Sequence, residues 1–134
     1  MDTADDLPPF ELAYPGPLRD KLVAAVLSGA KTSTSSLLVE YEGGDDPLPV
    51  VGQRYLLVGS ALEPVGIVET TEVRIMPIGE VDLLFARDEG EGYDTVAAWR
   101  EAHERFWSAN VPGVEIDDST VVVAERFRLV ETGG

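Results

Sequence analysis

The sequence predicts an α+β fold, a small curved sheet flanked by two helices, and three observations predict it. Residues 65–76 carry a β-branched run, Val65, Ile67, Val68, Thr70, Thr71, Val73 and Ile75, that suits a pleated, half-buried strand. Residues 120–129 alternate like a second strand. Apolar residues recur at helical spacing over 17–28 and roughly 95–108. At 134 residues and 44% hydrophobic content the chain has the size of one domain with a single core.

In chain order, residues 1–9 are acidic, end in Pro8-Pro9 and read as a mobile lead-in. The domain spans 10–130, and 131–134 form a flexible tail. Pro17 suits a first helical position. Leu18, Leu22, Val23, Val26 and Leu27 make the stripe of helix 17–28, and Gly29 closes it. Residues 31–36 read as a loop or extended stretch, and Leu37–Tyr41 is open between short helix and strand. Residues 43–47 are a loop, and Gln53–Val58 a strand. In the run 65–76, alternation puts Ile67, Glu69, Thr71, Val73 and Ile75 on one face. Glu80–Ala86 is a short helical turn. Asp94 caps the second helix, whose buried face is Val96, Trp99, His103, Phe106 and Trp107.

Composition narrows function. There is no cysteine, which excludes disulfides, a thiol nucleophile and thiolate metal ligation. With one histidine, no metal and no cofactor is expected. No basic, apolar leader and no membrane-length apolar run appears, so a cytoplasmic protein without membrane partners is expected. Twenty-five acids against ten bases give −15, a field that repels polyanions at long range.

Two local features hold chemistry. Lys31 follows a Gly-terminated helix and precedes five hydroxyl residues, Thr32 to Ser36. It either neutralises the helix dipole or serves, packed among hydroxyls, as a base or anion anchor. The second is the acid-rich run Arg87-Asp88-Glu89-Gly90-Glu91-Gly92, where one inward acid would act in proton transfer. His103, at stripe spacing, reads as a hydrogen-bonded interior or boundary residue rather than a catalytic one.

Across about Phe10 to Val130 these segments resemble the ASCH domain, a relative of PUA RNA-binding domains, in its bacterial stand-alone branch. The matching parts are Gly29-Ala-Lys-Thr-Ser-Thr34 (a G-x-K-x-x-T motif), Pro49-Val-Val-Gly52, Glu69-Thr-Thr-Glu-Val73, Glu80 to Ala86, Glu89-Gly-Glu-Gly92, Trp99-Arg-Glu-Ala-His103 and Ala124-Glu-Arg-Phe127. The resemblance implies a PUA-like β-barrel with helices beside one mouth. It implies either hydrolysis of N4-acetylcytidine and similar acylated cytosines, or RNA binding, in one branch with ribonuclease activity. The amidohydrolase triad maps onto Lys31, Thr34 and Glu89, with Glu91 as the next choice for the acid. The chain departs from close amidohydrolases at Ser36, where they carry arginine.

The enzyme reading makes Lys31 the base, Thr34 or water the nucleophile and Glu89 the proton shuttle. The substrate is a small nucleoside or base, with the backbone and hydroxyls of Thr34, Ser35 and Ser36 binding the oxyanion. It expects Lys31→Ala to abolish hydrolysis and barely move the melting temperature. The RNA-binding alternative makes Lys31 a phosphate contact, lines a path with Arg54, Arg74 and Arg87, and stacks a base on Tyr93. The net charge favours the small ligand.

Overall fold

The computed structural model describes residues 7–42 and 47–132. Five strands form one sheet: β1 (Pro9–Phe10), β2 (Ser33–Leu37), β3 (Arg54–Val58), β4 (Pro64–Pro77) and β5 (Val121–Thr132). Their spatial order is β1-β3-β4-β5-β2. β1 pairs parallel with β3 and the remaining pairs are antiparallel. The sheet curls into a half-barrel, with β1 and β2 at its edges. Three α-helices pack on it: α1 (Pro17–Ser28), α2 (Leu83–Asp88) and α3 (Val96–Asn110). None of the helices among the described residues is long and apolar enough to cross a membrane.

α1 begins on Pro17 and ends on Gly29, whose left-handed φ of 87° lets its N–H reach Val26 O. It buries Leu22, Val23 and Val26, but Leu18 and Leu27 of the expected stripe are exposed. Arg19 takes the buried place instead. Its guanidinium donates to the carbonyls of Leu12, Ala13 and Gly59, fastening α1 to the chain before it and to the end of β3.

β4 departs from simple alternation. Its register against β5 shifts between Ile67 and Val68 and again between Thr70 and Glu72. Gly66, Val68 and Thr70 alternate as buried positions until the extra residue Thr71, and Thr71 and Ile75 are exposed. A bulge re-aims every later side chain, so the single face expected for Ile67, Glu69, Thr71, Val73 and Ile75 is not formed.

Other boundaries differ slightly. Thr95, not Asp94, caps α3, its hydroxyl accepting from Ala98 N at 3.0 Å. Residues 33–37 are a strand, and Leu38–Tyr41 is a 3-10 turn. Pro9 already pairs in β1, and β5 runs to Thr132, two residues into the expected tail. Residues 1–6, 43–46 and 133–134, covering most of the expected lead-in, loop and tail end, lie outside the described residues.

Two apolar clusters hold the sheet from its two faces. One gathers Leu37, Ile78, Phe85, Trp99, Trp107, Val122 and Ala124 beneath α2 and α3. The other gathers Phe10, Leu22, Val26, Leu57, Val68 and Phe127 beneath α1. Alternation along β5 sends Val122 and Ala124 to the first face and Phe127 to the second.

Candidate active site at the edge of β2

Two turns press together where the chain enters β2. Thr32 N–H donates to Asp88 O at 2.7 Å, tying the end of α2 to the start of the strand. Arg126 reinforces this through a 2.7 Å ion pair with Asp88. Gly90, at φ 74°, lets the following turn lie directly on Ala30 and Lys31, since a Cβ there would sit 2.6 Å from Ala30 O.

This packing buries Lys31 to 2% exposure and Glu89 to 1%. Lys31 Nζ donates to Ser33 O at 2.8 Å and Glu89 O at 3.2 Å, and lies 3.5 Å from Glu89 Oε1. Glu89 Oε2 accepts from Ser35 Oγ at 2.9 Å and Trp99 Nε1 at 2.5 Å. His103 Nε2 is 3.2 Å from Glu89 Oε1, and its Nδ1 is 2.8 Å from Trp99 O. Burial alone would raise the Glu89 pKa. The Lys31 charge, the His103 bond and charge and the Trp99 bond outweigh it and bring the carboxyl down to about 2. Burial works against a charged His103, yet the bond and charge of Glu89 raise its pKa above the ordinary value.

Glu91 and Tyr93, both half-buried, adjoin this cluster. Burial raises the Glu91 pKa against the attraction of Lys31. The Tyr93 pKa is raised by burial first and then by Glu91 and Glu89, and its ring lies 5.8 Å from that of His103. Donor atoms of Glu89, Glu91 and His103 lie within 4.8 Å of one another. Because Lys31, Trp99 and Ser35 already occupy the Glu89 oxygens, the trio is built as a hydrogen-bond cluster, with a competing cation at its centre.

The ladder register shows what β2 leaves open. Phe127 N donates to Thr32 O, so alternation turns the backbone groups of Thr32, Thr34 and Ser36 toward β5. Those of Ser33, Ser35 and Leu37 face the free edge. There Lys31 takes Ser33 O, and Glu40 Oε2 takes Leu37 N–H at 2.8 Å. Between them the Ser35 N–H has no partner among the described residues.

Of the residues singled out from sequence, Lys31, Glu89 and Ser35 are in contact, and Glu91 and Tyr93 adjoin them. No hydrogen bond joins Thr34 to Lys31 or Glu89: it pairs across the ladder with Glu125, which puts its side chain on the opposite face from Ser33 and Ser35. Ser36 shares that face and bonds Tyr41 at 3.0 Å. Arg54 lies on β3, separated from β2 by β4 and β5, in a surface ladder with Glu69 and Arg128. Arg74 pairs with Glu72, and Arg87 is exposed on α2. His103 is hydrogen-bonded at the boundary of the core as its stripe spacing implies, and one of its partners is Glu89. The signal was its spacing: Trp99 and His103 stand one turn apart on one helix face.

The comparisons agree with this architecture. The pattern that defines the ASCH domain matches residues 11–131. A crystal structure of a protein from Enterococcus faecalis V583 superposes with a TM-score of 0.83 at 28% identity, covering 93% of this chain and 77% of that one. An ASCH domain from Lactobacillus crispatus JV V101 gives 0.81 at 27% identity, covering 92% and 79%. An ASCH protein from Zymomonas mobilis shares the fold at 13% identity, TM-score 0.53, with 92% and 68% covered. No curated protein matches the chain. The domain pattern runs from Glu11 to Glu131, through the turn that carries Lys31 and the one that carries Glu89, and this chain belongs to the ASCH domain family.

Proposed function

We propose that the protein hydrolyses the amide of a small acylated base or nucleoside, of the N4-acylcytosine or N4-acylcytidine kind, at the edge of β2. One observation carries this reading: a buried Lys31–Glu89 pair stands beside an open backbone N–H, that of Ser35. Amide hydrolysis needs a donor for the developing oxyanion and a way to move one proton from nucleophile to leaving nitrogen. The Ser35 N–H meets the first need. Lys31, an ammonium paired with Glu89, meets the second: as water adds and the C–O bond forms, it gives its proton to the exocyclic nitrogen and takes one from the water. The C–N bond then breaks, and the exocyclic amine leaves with a proton.

The role of Glu89 differs from the one expected from sequence. A carboxyl held near 2 is ionised at neutral pH and donates no proton in the resting site. In this mechanism it fixes Lys31 and balances its charge, and the proton delivered to the amine comes from Lys31 or His103.

The test is a panel of N4-acylated cytosines and cytidines, followed by chromatography of the freed amine. Lys31→Ala is a poor probe. It leaves the Glu89 charge buried without its partner, at a cost of about 3–5 kcal/mol, so the small effect on melting temperature expected from sequence does not hold. Lys31→Arg keeps the positive charge but surrenders no proton, and turnover should fall about 100-fold or more in a folded protein. Folded wild-type protein that hydrolyses no member of the panel sinks the proposal.

A further inference from the structure

We propose that the face of the sheet around Glu125 is a recognition pocket for a planar heterocycle edge that pairs one donor with one acceptor, as cytosine does. The choice of cytosine rests on the amide-hydrolysis reading; the pocket itself rests on separate observations.

Thr34, Glu125 and Val73 are directly paired across β2, β5 and β4, so their side chains share one face. Glu125 is only 6% exposed, and among the described residues no cation pairs with it. Thr70 Oγ1 donates to its Oε2 at 2.6 Å. Its Oε1 has no partner among the described residues, yet no buried side-chain atom among them is left orphaned, so Oε1 reaches accessible space. The Thr34 hydroxyl, half-buried beside it, also lacks a partner among the described residues. Tyr55 on β3 stands close enough for Glu125 to help raise its pKa, and the Ser36–Tyr41 hydrogen bond lies on the Thr34 side.

Packing does not account for this carboxyl. It occupies an interior position of β5 between Val123 and Phe127, where an apolar residue would avoid the cost of burying an uncompensated acid. Burial pushes the Glu125 pKa up against the Thr70 bond, which favours the neutral carboxyl. A neutral carboxyl presents O–H and C=O side by side, the complement of a ring nitrogen beside an exocyclic N–H. Thr34 joins the two regions. Its side chain lies on the pocket face, and the next residue, Ser35, opens its N–H at the strand edge. A ring held by Glu125 would place its exocyclic amide toward the β2 edge, where the Ser35 N–H is open.

Calorimetric titration with cytidine tests the pocket apart from the chemistry. Glu125→Leu should weaken binding about 10- to 100-fold. Glu125→Gln, whose amide also carries one donor and one acceptor side by side, should bind within about 3-fold of wild type. Wild-type affinity should fall as pH rises through the elevated Glu125 titration, and the Glu125→Gln affinity should stay flat. Tyr55 and Tyr41 are the titratable groups beside Glu125, and burial raises the Tyr55 pKa. The pH contrast keeps the test decisive should Glu125→Leu not fold. Wild type that ignores cytidine, a flat wild-type profile, or Glu125→Leu that binds like wild type overturns the pocket. Glu125-dependent binding without hydrolysis would leave the pocket and remove the amidase reading. Hydrolysis by Glu125→Leu with unchanged KM would do the reverse.

Discussion

His103 faces an acceptor through each ring nitrogen, with Nε2 at 3.2 Å from Glu89 Oε1 and Nδ1 at 2.8 Å from Trp99 O. A carbonyl oxygen and an ionised carboxylate donate nothing, so both bonds form together only when the ring is imidazolium. Glu89 then lies between two cations, Lys31 and His103, inside a protein whose net charge is −15.

This arrangement makes stability depend on pH at both ends. The Glu89 pKa is depressed from 4.5 to about 2, so its contribution is present above 4.5 and lost as pH falls toward 2. The loss should be on the order of 3 kcal/mol. The His103 pKa is raised, so its contribution is complete below the ordinary 6.5 and fades as pH climbs through the folded value. Urea midpoints from pH 2 to 9 should fall on both limbs. Glu89→Gln should flatten the acid limb and His103→Gln the alkaline one. An acid limb in Glu89→Gln that parallels wild type would count against the ion pair.

Gly90 sets the distance between the two halves of the site. An added Cβ would meet Ala30 O at 2.6 Å and Lys31 Cα at 2.8 Å, in a backbone conformation of φ 74°. Gly92 has a similar φ of 87° with nothing within 4 Å of its Cβ position. Gly92→Ala should therefore cost about 1 kcal/mol from backbone strain alone. Gly90→Ala should cost roughly 2–4 kcal/mol because the turn must also back away from Lys31. Thermal melts of the two variants measure the difference, and equal costs would mean that the close approach is unimportant.

The helices were legible because their signals are local: Pro17 and Gly29 bound α1, and Trp99 and Trp107 mark the inner stripe of α3. Lys31 and Glu89 were legible only through the resemblance, since 58 positions separate them and no local rule joins them. Thr34 and Ser35 were hard to sort because the side each faces depends on where β2 begins and how it registers against β5. The β4 bulges defeat alternation in the same way. Glu125 was the missed opportunity: a charged residue at the parity of Val123 and Phe127 in an alternating strand is visible in the sequence. Arg19 was not, because its partners are backbone carbonyls brought close only by the fold.

The distribution of cations decides how the protein should meet RNA. Of ten basic residues, eight are held in ion pairs: Arg19, Lys31, Arg54, Arg74, Arg100, Arg105, Arg126 and Arg128. That leaves Lys21 and Arg87, each outside any ion pair among the described residues. Two free cations releasing counterions from a single strand give a salt slope no steeper than about −1.4 in log K against log salt. The surrounding acids oppose even that contact at long range. Fluorescence anisotropy of a labelled single-stranded RNA should show no binding near 0.15 M salt. Any binding at lower salt should be shallow in its salt dependence and weakened by Arg87→Ala. Tight binding at physiological salt with a slope near −3 would require about four phosphate contacts. The Arg54–Glu69–Arg128 ladder would then have to open to supply them, and the small-ligand reading would give way to a polyanion surface.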